Sequence, residues 1–227
     1  MENKISKVLV VCAHPDDETL GLGGTLALHV KNSAKVFVLI FADGESSRSN
    51  STPKKLKQRQ KQAEKACSIL GIKNVRFLNY PDQKLDTFPL LELAKHIEAV
   101  IKKFRPDTIY THYWGDVNQD HQKLFEATLI ATRPLPTSSI KRVICFETPS
   151  STEWGHAEKK FNPNLFVDIN SVLNKKMKAV QQYKNEILSF PHPRSKDAIV
   201  NRAHHWGSSV GLKHAEAFMI LRQIVKK

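Results

Sequence analysis

Unbroken apolar runs alternate with helical patterns along the first two thirds of this chain. The apolar runs cover 7–13, 35–43, 74–82, 107–113 and 141–148, and the helical patterns cover 18–32, 54–71, 88–106 and 120–134. Runs without an apolar–polar alternation are typical of strands that are buried on both faces, as in parallel sheets. The sequence therefore predicts an α/β fold with a mostly parallel sheet and helices on both faces.

The last third of the chain has a less regular pattern. It suggests a strand over 164–170, a helix over 172–188, and helical segments over 198–207 and 213–224. No linker or repeat interrupts the chain, so we expect residues 1–227 to form a single domain. No run of about 18 apolar residues is present, which predicts that the protein is not transmembrane. The first apolar run passes straight into charged residues, as expected for a strand and not for a secretion signal.

The net charge and the cysteines indicate which binding partners and which cellular compartment to expect. The formal net charge is +13, which favours an anionic substrate. The basic residues are dense only over 54–65, where no aromatic residues stand between them for base stacking, so we expect no nucleic-acid partner. Cys12, Cys67 and Cys145 lie in apolar settings at wide spacing, which indicates reduced thiols and a cytoplasmic location.

Polar clusters follow four of the predicted strands at the point where each one ends. They are "HPDDE" at 14–18, "DGESS" at 43–47, "YPD" at 80–82 and "HYWGDVNQDH" at 112–121. In open α/β sheets the ligand binds beyond the carboxyl ends of the strands. The sequence therefore predicts a functional site at this edge.

The first cluster has the residue types of a metal site. His14 and Asp17 stand three residues apart on a tight turn, and His121 is the best third ligand. Three such ligands and one open position are typical of catalytic zinc. Asp16, between two of them, is placed to act as a general base. The alternative is structural, with Asp16, Asp17 and Glu18 capping the helix and complementing its dipole.

The glycines of the same stretch suggest two further alternatives. Gly21, Gly23 and Gly24 lie inside the helical pattern and lack the G-x-G-x-x-G spacing of a dinucleotide loop. Close packing of the helix on the sheet explains them better.

Several motifs together resemble the PIG-L/LmbE-like zinc-dependent de-N-acetylases. They are "AHPDDETLGLGGTLA" at 13–27, "LKQRQKQAEKACSILG" at 56–71, "DVNQDH" at 116–121, "KMKAVQQYKNEI" at 176–187 and "HAEAF" at 214–218. The resemblance implies a Rossmann-like sheet. It also implies a hydrolase that removes the N-acetyl group from an N-acetylglucosamine-type sugar, whether nucleotide-, lipid- or glycan-linked.

The resemblance assigns the metal site residue by residue. His14, Asp17 and His121 match the family's zinc ligands, and Asp16 matches its general base. Asp120 matches an acid that orients a ligand histidine from outside the ligand set. The mixed imidazole and carboxylate ligands also suit Fe²⁺ or another divalent ion.

Three more residues follow from the same comparison. Arg59 matches an arginine associated with substrate binding, and Glu18 is an acid that caps the helix or supports the ligands. Asn118 stands where many members have a histidine that stabilises the oxyanion. An amide can donate that hydrogen bond but cannot deliver a proton, so the donor to the leaving amine stays open.

Two other functions compete with the enzyme. The first is a metal- or carbohydrate-binding module without catalysis, although all four matching residues are present. The second is a basic nucleic-acid-binding protein, which leaves "HPDDE" unexplained. The resemblance permits a homo-oligomer.

Overall fold

The computed structural model describes residues 6–155 and 157–225. Its strands are β1 (Lys7–Cys12), β2 (Lys35–Ala42), β3 (Asn74–Tyr80), β4 (Thr108–His112), β5 (Arg142–Phe146), β6 (Leu165–Asp168) and β7 (Ala215–Gln223). They form one sheet in the order β3-β2-β1-β4-β5-β7-β6. The pairs among the first five are parallel, and β7 runs antiparallel to β5 and β6. The predicted mostly parallel sheet is confirmed.

Among the residues that the structure describes, six α-helices connect and cover the strands. They are α1 (Asp17–Lys31), α2 (Pro53–Leu70), α3 (Leu90–Phe104), α4 (Gln119–Ala131), α5 (Leu173–Val180) and α6 (Lys196–Ser208). The sequence marks the ends of α2 clearly. The Thr52 hydroxyl accepts a hydrogen bond from the Lys55 amide, and Gly71 ends the helix at φ 89°. Within the described part of the chain, no helix is long and apolar enough to cross a membrane.

The prediction of a helix over 213–224 is wrong. Residues Ala215–Gln223 form β7, in which Phe218 pairs with Phe146 on one side and Leu165 on the other. A short apolar run fits a buried helix and a buried strand equally well, and here β5 and β6 supply hydrogen-bond partners on both edges. The helix predicted over 172–188 also ends early, at Val180.

The core lies on both faces of the sheet. One face of β1, with Val8 and Val10, packs against α1, α2 and α5, and the other face, with Leu9 and Val11, packs against α3 and α4. Both layers consist of fully buried aliphatic and aromatic residues, as the unbroken apolar runs require. The three cysteines are free and buried.

Helix α1 is broken in its middle, at Leu22, where φ is −144° and ψ is 20°. The Glu216 carboxylate accepts hydrogen bonds from the backbone amides of Gly24 (2.9 Å) and Thr25 (2.7 Å). The Lys176 ammonium donates to the Leu20 carbonyl (2.9 Å) and to Glu216 (2.7 Å). A buried ion pair from α5 and β7 therefore satisfies backbone groups that the break leaves without helical partners.

Two glycines let α1 lie close to its neighbours. A Cβ atom at Gly21 would stand 2.5 Å from the Phe146 ring, and one at Gly24 would stand 2.7 Å from the Ile169 side chain. These contacts agree with the packing interpretation of the glycine-rich stretch.

Candidate metal centre

The loop after β1 turns sharply into α1 and places two carboxylates at the carboxyl edge of the sheet. Asp16 is the N-cap of α1, with φ 139° and ψ −24°, and its carbonyl accepts hydrogen bonds from the first turn. Such a backbone conformation costs about 1–3 kcal/mol in a residue other than glycine. The His14 amide donates to Oδ2 of Asp17 at 2.7 Å, which closes the turn. Asp16 and Asp17 are each 1% exposed.

Three ligand atoms converge beside this turn. Nδ1 of His14 lies 3.6 Å from Oδ2 of Asp17 and 3.3 Å from Nε2 of His121. Nε2 of His121 lies 3.6 Å from the same Asp17 oxygen. Tetrahedral ligands at about 2.0–2.2 Å from one ion stand about 3.3–3.6 Å apart, so the spacing of these atoms suits a single divalent ion. The structure thus brings together the three ligands expected from the sequence.

Carboxylates on the far side of each ring fix which nitrogen faces inward. Nε2 of His14 lies 3.0 Å from Asp120 and 3.1 Å from Asp82, and Nδ1 of His121 lies 3.1 Å from Asp116. A ring nitrogen beside a carboxylate carries the proton, so the opposite nitrogen presents a lone pair. Both histidines therefore direct lone pairs at the same point.

The electrostatics of this point call for a cation. The two inward nitrogens and the Asp17 carboxylate oxygen can each supply an electron pair, and a cation between them would attract all three. Oδ1 of Asp17 is buried and has no hydrogen-bond partner within the described chain. An orphaned buried carboxylate oxygen is costly unless an ion or donor meets it. The donor set fits a divalent metal.

A second set of possible ligand atoms shares His14 with Asp82 and Asp120. Hydrogen bonds explain this set without an ion. Asp120 also accepts the backbone amides of Gln83 and Leu85, both at 2.9 Å. Asp120 thus lies where an acid that orients His14 is expected.

The Asp116 carboxylate anchors His121 to the loop after β5. It accepts hydrogen bonds from the hydroxyls of Ser151 and Thr152 and from the Asn118 amide. Burial by itself would raise the pKa of Asp116, but His121 and these hydrogen bonds lower it to about 2. The carboxylate is therefore charged when it faces the ring.

Two arginines contact the Asp16 carboxylate. Nη2 of Arg59 lies 3.0 Å and Nη1 of Arg194 lies 3.1 Å from Oδ2 of Asp16. Among the residues that the structure describes, none donates a hydrogen bond to Oδ1. The pKa of Asp16 is raised above its ordinary value, because burial outweighs the two arginines.

Glu186 joins the arginines into one network. Its carboxylate pairs with Arg59 and lies 2.8 Å from Nη2 of Arg48 and 3.4 Å from Nη1 of Arg194. Arg59 is almost fully buried, whereas the Arg194 side chain is 21% exposed. Of the two arginines on Asp16, Arg194 is therefore the one within reach of a ligand.

Glu18 lies behind the turn and supports it. Its carboxylate accepts hydrogen bonds from the Asp16 amide and from the hydroxyls of Thr19 and Tyr183. Burial raises the pKa of Glu18 to about 7. It caps the start of α1 and contacts none of the three ligand side chains through these bonds.

Asn118 is the N-cap of α4, the helix that carries His121. Its side-chain oxygen accepts the Asp120 amide at 2.9 Å. In the part of the chain that the structure describes, its Nδ2 group has no hydrogen-bond partner, so it remains a free donor near the ligands.

Three further histidines, candidates for the proton donor to a leaving amine, lie in different settings. His112 is fully buried and stacks on His121 at 3.8 Å, and its Nε2 accepts the Ala13 amide. Burial and His121 lower the pKa of His112 to about 4, so it is a neutral structural residue. His204 packs against His214, away from the ligands. His192 lies beside Arg194, whose amide it accepts at 3.1 Å.

Sequence reasoning did not assign Asp82, Asp116 or Arg194 to the site. Asp82 and Asp116 lie in polar clusters that follow predicted strands, and this placement was the available signal. Arg194 lies in an irregular segment after α5, where no periodic pattern or spacing marks it.

Fold and site together define the class of protein. It is an α/β protein with a candidate mononuclear metal centre of two histidines and one aspartate, and a further carboxylate beside it. The chain belongs to the PIG-L family, described as GlcNAc-PI de-N-acetylase, which matches residues 9–132. The resemblance seen in the sequence is confirmed.

Known proteins resemble the chain over most of its length. It is 26% identical over 222 residues to the diacetylchitobiose deacetylase of Thermococcus kodakarensis, covering 94% of this chain and 82% of that protein. It is 30% identical over 203 residues to a 4-oxalmesaconate hydratase of Pseudomonas putida, covering 80% of this chain and 74% of that protein. The structure also resembles that of N,N'-diacetylchitobiose deacetylase from Pyrococcus horikoshii, with a TM-score of 0.75 and 23% sequence identity. The match covers 96% of this chain and 84% of that chain and shows a similar fold.

Proposed function

We propose that this protein is a metal-dependent hydrolase that removes the N-acetyl group from an N-acetylglucosamine-type sugar and releases acetate. The observation that carries the proposal is the position of Asp16, on the turn between two members of a converging His-Asp-His donor set. Membership of the PIG-L family and the similarity to a diacetylchitobiose deacetylase support the same reaction.

His14, Asp17 and His121 would hold the ion through Nδ1, Oδ2 and Nε2. We propose zinc, with Fe²⁺ as the alternative, because imidazole and carboxylate ligands do not select strongly between them. When bound, such an ion polarises a carbonyl group and lowers the pKa of water.

Asp16 is the proposed general base. Both arginines contact its Oδ2, so Oδ1 is the oxygen left to accept the proton of the attacking water. A general base has to lie within hydrogen-bond reach of that proton, and the turn between His14 and Asp17 provides this position. The proton then passes from Oδ1 to the leaving amine, a role that the buried acceptor His112 cannot take.

Asn118 and Arg194 complete the proposed site. The free amide group of Asn118 can donate to the oxyanion that forms on the acetyl carbonyl, because its oxygen is already held by the helix. Arg59 pairs with Asp16 and Glu186, so it would influence substrate binding indirectly, by positioning Asp16. Arg194 is accessible and can meet a substrate hydroxyl or anionic group.

Hydration of an unsaturated acid is a second candidate reaction. The 30% identity to a 4-oxalmesaconate hydratase favours it, and so does the accessible Arg194, because an arginine suits a carboxylate substrate. In this reaction Asp16 would again activate water, but no acetate would form.

An acetate-release assay separates these possibilities. We expect acetate from N-acetylglucosamine or N,N'-diacetylchitobiose, loss of activity with a chelator, and recovery with Zn²⁺ or Fe²⁺. Full activity after complete metal removal would refute the proposal. Consumption of 4-oxalmesaconate without deacetylation would favour the hydratase, and sugar binding without turnover would favour a non-catalytic module.

We further propose that residues 1–227 act as one domain in the cytoplasm. The single sheet and the three buried free cysteines support this. The formal charge of +13 supports an anionic substrate, and a steep fall of kcat/KM with salt tests it. A homo-oligomer is part of the same proposal, and sedimentation measures it.

A further inference from the structure

A groove of about 450 Å³ lies between α6 and the segment that precedes it. Phe190, Pro191 and Pro193 line one side, and Asn201, His205 and Trp206 line the other. Its volume is within the range of small-molecule sites, and its walls combine apolar rings with a few polar groups, as ligand sites do. None of the roles proposed for the metal centre uses these residues.

One covalent connection and one set of ion pairs link the groove to residues of the proposed site. Pro193 lines it, and the following residue, Arg194, lies 3.1 Å from Asp16. Arg202 also lines it and pairs with Glu147 and Glu153 at the two ends of the loop after β5. The hydroxyls of Ser151 and Thr152, in the same loop, donate hydrogen bonds to Asp116, which faces His121. A molecule in the groove therefore lies beside the proposed site.

The chemistry of the groove favours a neutral polyol. Arg202 is neutralised by Glu147 and Glu153, so the groove offers no uncompensated arginine to an anion. Phe190 is 62% exposed, and such a ring presents an apolar surface to the C–H face of a sugar ring. Asn201 and His205 are exposed on α6 at the spacing of one helical turn, and they can hydrogen-bond to hydroxyl groups.

We propose that this groove is a subsite for the saccharide unit linked to the acetylated sugar. The inference rests on the proposed deacetylase function and extends it to an oligosaccharide or other glycoside substrate. A lone monosaccharide would fill the catalytic position and leave the groove without its ligand.

Paired substrates test the subsite. We expect Phe190→Ala and Asn201→Ala to raise the KM for N,N'-diacetylchitobiose about tenfold with little change in kcat, since they remove binding that ground state and transition state share. The KM for N-acetylglucosamine should change less than about twofold. Leu135→Ala, at another exposed apolar residue outside the groove, is the matched control and should change the KM for neither substrate. Equal effects on both sugars, or none on the disaccharide, would overturn the inference.

A binding measurement keeps this inference separate from the proposed function. In the Asp16→Asn background, calorimetry with diacetylchitobiose should show about tenfold weaker binding when Phe190→Ala is added. If the wild type releases no acetate from any sugar, the deacetylase proposal fails. The calorimetry then still decides the groove, because unchanged affinity, or no binding at all, contradicts a saccharide subsite.

Discussion

Arg59 and Arg194 contact the same oxygen of Asp16, one from α2 and one from the segment before α6. The carboxylate is thereby oriented, with Oδ2 occupied by both arginines and Oδ1 left as the proposed proton acceptor. The two arginines also lower the pKa of the Asp16 carboxyl and so oppose the larger effect of burial, which raises it. The proposed base, Asp16, therefore depends on chain segments far from the motif that carries it.

Asp16→Asn should abolish turnover without releasing the metal. The amide keeps the shape of the side chain but cannot accept the proton, and loss of a general base typically costs about 10²–10⁴-fold in kcat. Metal content by mass spectrometry and kcat by acetate release measure the two effects. Loss of the metal together with activity would make Asp16 a ligand.

Asp17→Asn, in contrast to Asp16→Asn, should weaken metal binding. Removing the charged ligand atom should weaken metal binding by at least about tenfold, because the remaining ligands are neutral imidazoles. Competition with a coloured chelator measures the affinity. The melting temperature of the wild type should rise on adding metal, and the rise should shrink in the variant. Unchanged affinity would show that Asp17 only caps α1.

Arg59→Gln should destabilise the fold through the charges that it leaves behind. Breaking a buried ion pair from one side costs about 3–5 kcal/mol, and Arg59 pairs with both Asp16 and Glu186. Adding Glu186→Gln should recover part of that loss, since it removes one uncompensated carboxylate. Urea unfolding of the two variants gives the comparison. An additive loss in the double variant would contradict the network.

Lys176→Met should disturb the metal centre from a distance. The change leaves Glu216 charged and the Leu20 carbonyl unpaired at the break in α1, for a loss of about 3–5 kcal/mol. Because the turn with Asp16 and Asp17 begins this helix, metal affinity should fall as well. The solvent-exposed pair Lys123–Glu126 is the control, and Lys123→Met there should cost less than about 1 kcal/mol. Lost stability with full metal affinity would make Lys176 purely structural.

His29 should make the protein sensitive to acid. Burial lowers the pKa of His29 in the fold to about 4, whereas the unfolded chain titrates near 6.5. Unfolding therefore takes up a proton between these values, so stability is highest above pH 6.5 and falls toward pH 4. The ring is half-buried, which limits the loss to about 1–2 kcal/mol. His29→Gln should flatten this dependence in unfolding curves from pH 4.5 to 7. The same pH dependence of stability in the wild type and in His29→Gln would contradict this prediction.

Local pattern predicted most of the sheet and the ligand set. Unbroken apolar runs mark strands buried on both faces, and parallel strands bring their carboxyl ends to one edge, which is why His14 and His121 meet. The strand β7 was missed because its identity depends on pairing with β5 and β6, which local sequence does not encode. Arg194 was not assigned because charge pairing between distant segments leaves no periodicity in the sequence.

The candidate ligands and Asp16 all lie within the matched family region, 9–132, whereas Arg194, Glu186 and the groove against α6 lie beyond it. The proposed reacting centre and the proposed saccharide subsite are thus encoded in separate stretches of one chain. Exchange of the region after residue 132 between relatives is therefore a rational route to chimaeras that keep one chemistry and change the molecule on which it acts.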